Sequence, residues 1–168
     1  MKYEKCIRDM EKRRVDTRPP TLCSGHYEGD FIVSSHSKYS LLVICDRVTK
    51  YSFVERIENR KHATVLRALC KIFDGKCVKS LTLDNDISFS NWKQLENVFN
   101  TKIYFCYPYH SWEKGLVENT NRWIRIFVPK GLDLKLVTEF NLKEVLEFLN
   151  YSPRQILNYD TPAMLYLS

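Results

Sequence analysis

The chain has 168 residues, 44% hydrophobic and 27% charged, which suits one folded domain with a proper core and excludes a disordered chain or two full-sized domains. No run approaches the roughly 18–20 apolar residues of a membrane span, and the charged start MKYEKCIRDMEKRRVDTRPP lacks a signal peptide's apolar middle, so neither secretion nor membrane residence is expected. Lys and Arg total 26 against 20 Asp and Glu, a net charge of +6 that suits a polyanionic partner such as nucleic acid.

Residues 1–24 read as a basic linker or arm, with Lys12, Arg13, Arg14 and Arg18 clustered before the Pro19-Pro20 break. Such a segment is either a solvated tail or an arm lying on a phosphate backbone. Residues 25–168 have the texture of a folded core. From Phe31 to Ile57 come three β-rich runs, FIVSS, YSLLVICDRV and YSFVERIE, joined by the short polar pieces HSK and TK. They predict a three-stranded antiparallel meander. Residues 61–73 place Val65, Leu69, Ile72 and Phe73 at helical spacing. VKSLTLD (78–84) reads as a short buried strand ending in an aspartate. Residues 89–100 return to helix, with Ser90 or Asn91 as cap and Trp92, Leu95, Val98 and Phe99 on one face.

KIYFCYP is a further strand stopped by Pro108, and a long helix follows from about Ser111 to Phe127, ended by Pro129 and Gly131. A last helix covers about 138–150, and a polar loop leads to the short apolar piece AMLYL. This order predicts an α/β fold: a mixed sheet of three antiparallel strands followed by parallel ones, flanked by helices. The six cysteines (Cys6, Cys23, Cys45, Cys70, Cys77, Cys106) contain no CxxC pair. Cys45 and Cys106 sit in apolar runs and read as small buried hydrophobes. Cys23 and His26 are three apart, half of a metal site with no second half, so free thiols in a reducing cytosol are the default.

Three acids fall at special places: Asp30 opens the first strand, Asp84 ends the fourth, and Glu118 lies inside the long helix. If the fourth strand lies beside the first, both aspartates reach one region of the sheet, and a crossing helix brings Glu118 from the side. Converging carboxylates repel unless a cation neutralises them, and hard oxygen ligands suit Mg²⁺ or Mn²⁺. Two such ions about 4 Å apart can hold the attacking and leaving oxygens of a phosphodiester displacement. Taken singly, each acid has a plainer role, a turn former at a strand end or a solvated helix face.

Arg122 and Arg125 follow Glu118 by four and seven residues, on nearly the same helix face, where they could hold DNA phosphates; a Glu118–Arg122 surface pair is the alternative. Lys114 and Trp112 join them as candidates for DNA contact. Tyr107, Tyr109, His110 and Trp112 form an aromatic loop that could stack on splayed bases, with core packing the alternative for Trp112. Trp123, Ile124 and Phe127 read as core.

GHYEGDFI, LTLDND and YFCYPYHSWEKGLVENTNRWIRIFVPKG resemble the catalytic core of bacterial insertion-sequence transposases of the IS30 family, within the DDE transposase and retroviral-integrase superfamily. The closing NYSPRQILNYDTPAMLY is similar to that family's C-terminal stretch, and the resemblance runs from about Gly25 to Tyr166. It implies a ribonuclease H-like fold, with Asp30, Asp84 and Glu118 as the three catalytic metal-binding acids and Arg125 as the basic residue often found seven positions on. It further implies nicking at transposon ends and attack of the freed 3′-hydroxyl on target DNA, with two Mg²⁺ or Mn²⁺ ions. The implied partners are transposon-end and target DNA and further copies of the chain, in the bacterial cytoplasm at the nucleoid, with no membrane.

The chain departs from the family pattern in three ways. Asp86 stands where D-N-G has its glycine, so a fourth acid is expected to crowd the metal site and to strain any backbone needing positive φ. Ser152 stands where Arg is common. About 24 residues precede the core, where full-length members carry helix-turn-helix segments. These departures leave open a truncated, catalytically silent remnant that binds DNA or partner subunits; a nuclease acting on RNA–DNA hybrids shares the fold and the metals.

Overall fold

All seven residues of β2 (Ser40–Asp46) are buried in the computed structural model, which describes residues 13–107 and 111–168. A strand covered on both faces must lie inside a sheet sandwiched by helices, and the run SLLVICD supplies the apolar residues for both sides. The sheet has five strands in the order β3-β2-β1-β4-β5. β1 (His26–Val33) pairs antiparallel with β2, and β2 with β3 (Ser52–Ile57), forming the expected meander. β4 (Ser80–Leu83) runs parallel to β1, and β5 (Lys102–Phe105) parallel to β4. The parallel returns are made by α1 (His62–Ile72) and α2 (Trp92–Phe99), as such connections require.

The two faces of the sheet carry separate cores. On one, Tyr27, Ile44, Leu81 and Phe105 pack against Val65, Leu69, Trp92 and Leu95 of α1 and α2. On the other, Ile32, Leu41, Val43 and Cys45 meet α3 (Gly115–Phe127) and α4 (Glu139–Tyr151) through Val117, Ile124, Val145 and Leu149. α4 starts on a capping box between Thr138 and Asn141. AMLYL falls in α5 (Pro162–Leu167), whose Tyr166 stacks on Tyr51 and shares a 2.9 Å hydrogen bond with the Tyr27 hydroxyl.

β1 begins at His26, five residues before the expected Phe31, so Asp30 lies within the strand and does not open it. The reason is an inverted pattern: His26 and Glu28 are polar yet buried, so the segment shows no apolar alternation. Gly29 sits on the opposite face from Glu28, where a Cβ would come within 2.8 Å of Leu83 and 3.0 Å of Ile44. Glycine leaves the space over β1 that the Leu83 and Ile44 side chains fill.

Two helix faces differ from expectation. Ile124 is fully buried, but Trp123 and Phe127 are part-exposed and lean on Phe148 of α4. Val98 is about half exposed at 49%, while Phe99 in the same turn packs against Phe73 and the core. The long helix is preceded by a 3₁₀ turn, Ser111–Lys114, and only then becomes α3. Pro108, Tyr109, His110 and the Trp112 side chain lie outside the described residues, as do Lys12 and Cys6.

Residues 13–18 lie against the domain, while Pro19, Pro20 and Leu22 are exposed. Arg14 bridges alongside Phe105 and donates to the Cys106 carbonyl, while Val15 is buried. The outward amides of β5 are both satisfied, Ile103 N–H by the Glu96 carboxylate and Phe105 N–H by the Arg13 carbonyl. Arg13 and Glu96 are themselves an ion pair. Cys45 and Cys106 are buried as expected, and burial pushes both thiols up to about 12. The five described cysteines are free thiols. Cys23 accepts a contact from Lys79 and His26 bonds Ser80, so neither faces the other as a metal pair. Among the described residues no helix is long and apolar enough to cross a membrane.

Candidate active site

The register of β1 against β4 decides where two of the acids go. Glu28 aligns with Thr82, so Asp30 and Asp84, two residues further along each chain, emerge from the same face of adjacent strands. Between them sits a cation supplied by the protein. Lys114 Nζ is 3.2 Å from Asp30 Oδ1, 3.8 Å from Asp84 Oδ2 and 3.4 Å from the Gly29 carbonyl, and the residue is only 4% exposed.

Lys114, Glu118, Asn121 and Arg125 are spaced four, three and four residues apart and so form one stripe on the helical surface. The stripe faces β1: Asn121 Nδ2 donates to Asp30 Oδ2 at 3.0 Å, and Arg125 Nη2 donates to the Val33 carbonyl at 2.8 Å. Glu118 lies half-buried between two residues that both touch Asp30. The structure thus brings Asp30 and Asp84 to one point. Among the described residues no three His, Cys, Asp or Glu side chains close on a common metal position, so Glu118 shares the face without sharing the contact.

Burial raises the Asp84 pKa, and nearby Asp30 adds to the rise while Lys114 opposes it. Burial alone would lower the Lys114 pKa, but Asp84 and Asp30 outweigh it and hold the ammonium above the ordinary lysine value. The lysine is therefore charged at neutral pH.

A buried carboxylate beside this pair, Glu28, was not foreseen. Glu28 accepts from the Val117 amide at 3.3 Å, and its other oxygen faces Arg47 at 3.5 Å and Arg18 at 3.8 Å. Burial raises its pKa against the pull of that amide and both arginines. Glu28 stands two residues before Asp30 on the same face of β1, and Asn121 three after Glu118 on the same face of α3. Those spacings were the available signals.

Of the DNA-contact candidates, Arg122 is exposed on α3. Lys114 faces the acids, and Arg125 is tied to the end of β1 with its Nη1 buried and unpartnered. Burial lowers the Arg125 pKa.

With this geometry in place, known proteins give the context. The chain is 35% identical over 142 residues to the transposase for insertion sequence element IS4351 of Bacteroides fragilis, which covers 82% of this chain and 43% of that protein. It is 32% identical over 153 residues to transposase InsI for element IS30A of Escherichia coli strain K12, covering 89% and 39%. Over most of its length the chain is similar to insertion-sequence transposases. It spans less than half the length of these curated relatives. No family model matches it. Among solved structures, the HTLV-2 integrase catalytic core domain in complex with magnesium is similar at TM-score 0.67 and 19% identity, over 87% of this chain and 99% of that one. The simian T-cell lymphotropic virus intasome is similar at TM-score 0.72 and 17% identity, over 90% and 57%. The fold is that of a retroviral-integrase catalytic core, ribonuclease H-like as expected.

Against the transposase pattern, Asp86 proves benign in its backbone. Its φ of −64° is ordinary, so the expected strain is absent. Its side chain turns to its own loop: one oxygen accepts from the Ser88 amide and hydroxyl, and the other pairs with Arg60 at 2.6 Å.

Proposed function

We propose that this chain is the catalytic core of a DDE transposase, cutting phosphodiester bonds at transposon ends and joining the freed 3′-hydroxyl to target DNA. The observation that carries the reading is the convergence of Asp30 Oδ1, Asp84 Oδ2 and the Gly29 carbonyl on one ammonium. A site of hard oxygens that already grips a cation suits Mg²⁺ or Mn²⁺, and the acids are the ones that the transposase motifs pick out. The kinship with insertion-sequence transposases and the integrase-core fold support the same reaction class.

In this reading Asp30 and Asp84 hold two divalent ions, with Glu118 closing the site from α3. Such ions, when bound, activate the attacking oxygen and stabilise the leaving one. The other roles belong to the chain. Asn121 fixes the Asp30 carboxylate, and Glu28 fastens the first turn of α3 to β1. Arg122, exposed beside the acids, meets the DNA backbone, and the net charge of +6 favours that approach. Trp112 and Arg125 would join Arg122 in meeting DNA, Arg125 from the end of β1, and residues 1–24 would serve as a basic lead-in to the core at 25–168. The chain works on paired DNA ends with further copies of itself, in the cytoplasm of a bacterium.

One ground for the silent-remnant alternative is the acid at Asp86, and its carboxylate is occupied by Arg60 and Ser88. The test is nicking and strand transfer on DNA carrying the element's ends, with Mg²⁺ or Mn²⁺. Activity is expected from the wild-type chain and none from Asp84→Asn or Glu118→Gln. Equal activity in either variant would remove the role given to that acid.

A further inference from the structure

We propose that Lys114 is a built-in competitor for the divalent ions: its ammonium fills the position where Asp30, Asp84 and the Gly29 carbonyl converge, and loading the site expels it. The inference rests on the metal reading above and deepens it. Asp30 lies in β1 and Asp84 directly follows β4, and the parallel pairing of those strands through Glu28 and Thr82 holds the two acids close. Left without a cation, the two carboxylates would face each other across a partly exposed site, and like charges so placed disfavour ionisation. Lys114 removes that conflict at no cost in partners, since its ammonium is surrounded by three oxygens and only 4% of the residue is exposed.

An oxygen-lined point holds one cation at a time within contact distance. A divalent ion needs oxygens at about 2.0–2.1 Å for Mg²⁺, inside the space that the ammonium now occupies. Lys114 must therefore leave before the acids can bind metal at full strength. Its place in the chain allows this. It is the last residue of the 3₁₀ turn and directly precedes Gly115, whose Cβ position is open space. The four-carbon stem can swing the charge away from the sheet without moving α3. Released, the ammonium is a free phosphate-binding group at the edge of the site, so metal loading and DNA engagement draw on the same side chain. The stand-in also keeps the acid pair preformed before any ion arrives.

The test measures Mn²⁺ binding to the full chain without DNA, by the loss of the free-ion electron paramagnetic resonance signal. Lys114→Met keeps the stem and removes the charge, and it is expected to bind Mn²⁺ about tenfold more tightly than wild type. Equal or weaker binding by the variant, with wild type binding normally, overturns the competitor role and leaves the metal site standing. Binding by neither protein sinks the metal reading itself, and this proposal with it. If Lys114→Met fails to fold, the wild type decides the matter through nitrogen-15 spectra of its lysine ammonium groups. The buried Lys114 signal is expected to lose its protection on Mg²⁺ titration, and a signal unmoved at saturation refutes the proposal.

Discussion

The carboxylate of Glu28, in the middle of β1, accepts a hydrogen bond from the backbone amide of Val117 in the first turn of α3. A central strand is thereby fastened to the helix that carries Lys114, Glu118 and Asn121, with Arg18 and Arg47 balancing the charge. Glu28→Ala removes the acceptor and leaves two arginines facing an empty pocket. The expected loss is about 2–4 kcal/mol of stability in urea denaturation, because unpartnered buried groups cost more than the bond itself contributes. Nicking by the variant should fall as well, since the first turn of α3 loses its anchor.

Asn121 is expected to act on the reaction by holding Asp30. Its amide fixes one oxygen of that carboxylate while Lys114 meets the other. Asn121→Ala should slow single-turnover nicking about tenfold, equivalent to about 1.4 kcal/mol, with a smaller change in urea midpoint. An unchanged rate would leave Asn121 a packing residue.

Asp86→Gly restores the residue that the transposase pattern carries at this position. It removes the Arg60 pair and the cap on the 3₁₀ turn Ile87–Phe89, for an expected cost of about 1 kcal/mol. Strand transfer should stay within about twofold of wild type, because Asp86 is turned toward its own loop. A large gain in activity would mean that the fourth acid does crowd the site.

His26 gives the fold a dependence on pH. Burial, then Arg47 and Lys79, lower its pKa below 6.5, with Asp46 opposing. The unfolded chain therefore binds a proton at pH values where the folded ring stays neutral. The stabilising contribution is complete above 6.5 and is lost as pH falls through that value toward the folded pKa. Wild type should weaken between about pH 7.5 and 5.5 more steeply than His26→Asn, which can keep a partner for Ser80. Parallel slopes in denaturation midpoints would contradict this.

How far the sequence could be read depended on whether burial and polarity agreed. β2 and α1 were legible because their buried residues are apolar and their periods distinct. The start of β1 was hidden because its buried face carries His26, Glu28 and Asp30, and no apolar pattern records a strand whose inner side is built for charge. Trp123 and Phe127 were misjudged for the opposite reason: large aromatics that suggest a core can lie against one helix, here α4 through Phe148, and keep a face in solvent. The adjacency of Asp30 and Asp84 hung on the fourth strand lying beside the first, a condition that the sheet order and register meet. The role of Lys114 was not legible, since a lysine early in the long helix reads as a DNA contact and only the fold sets its ammonium between two acids.

The outer margin of β5 has a practical consequence. Its two outward amides are spoken for by Glu96 and Arg13, so the segment before Pro19 works as a selvedge that keeps the sheet from fraying into its neighbours. Trimming the protein back to residue 25, where sequence texture alone would cut, would bare that margin and invite strand-to-strand stacking between molecules. A protein shortened in that way should precipitate where one retaining residues 13–24 stays dispersed, a difference that light scattering would register at once.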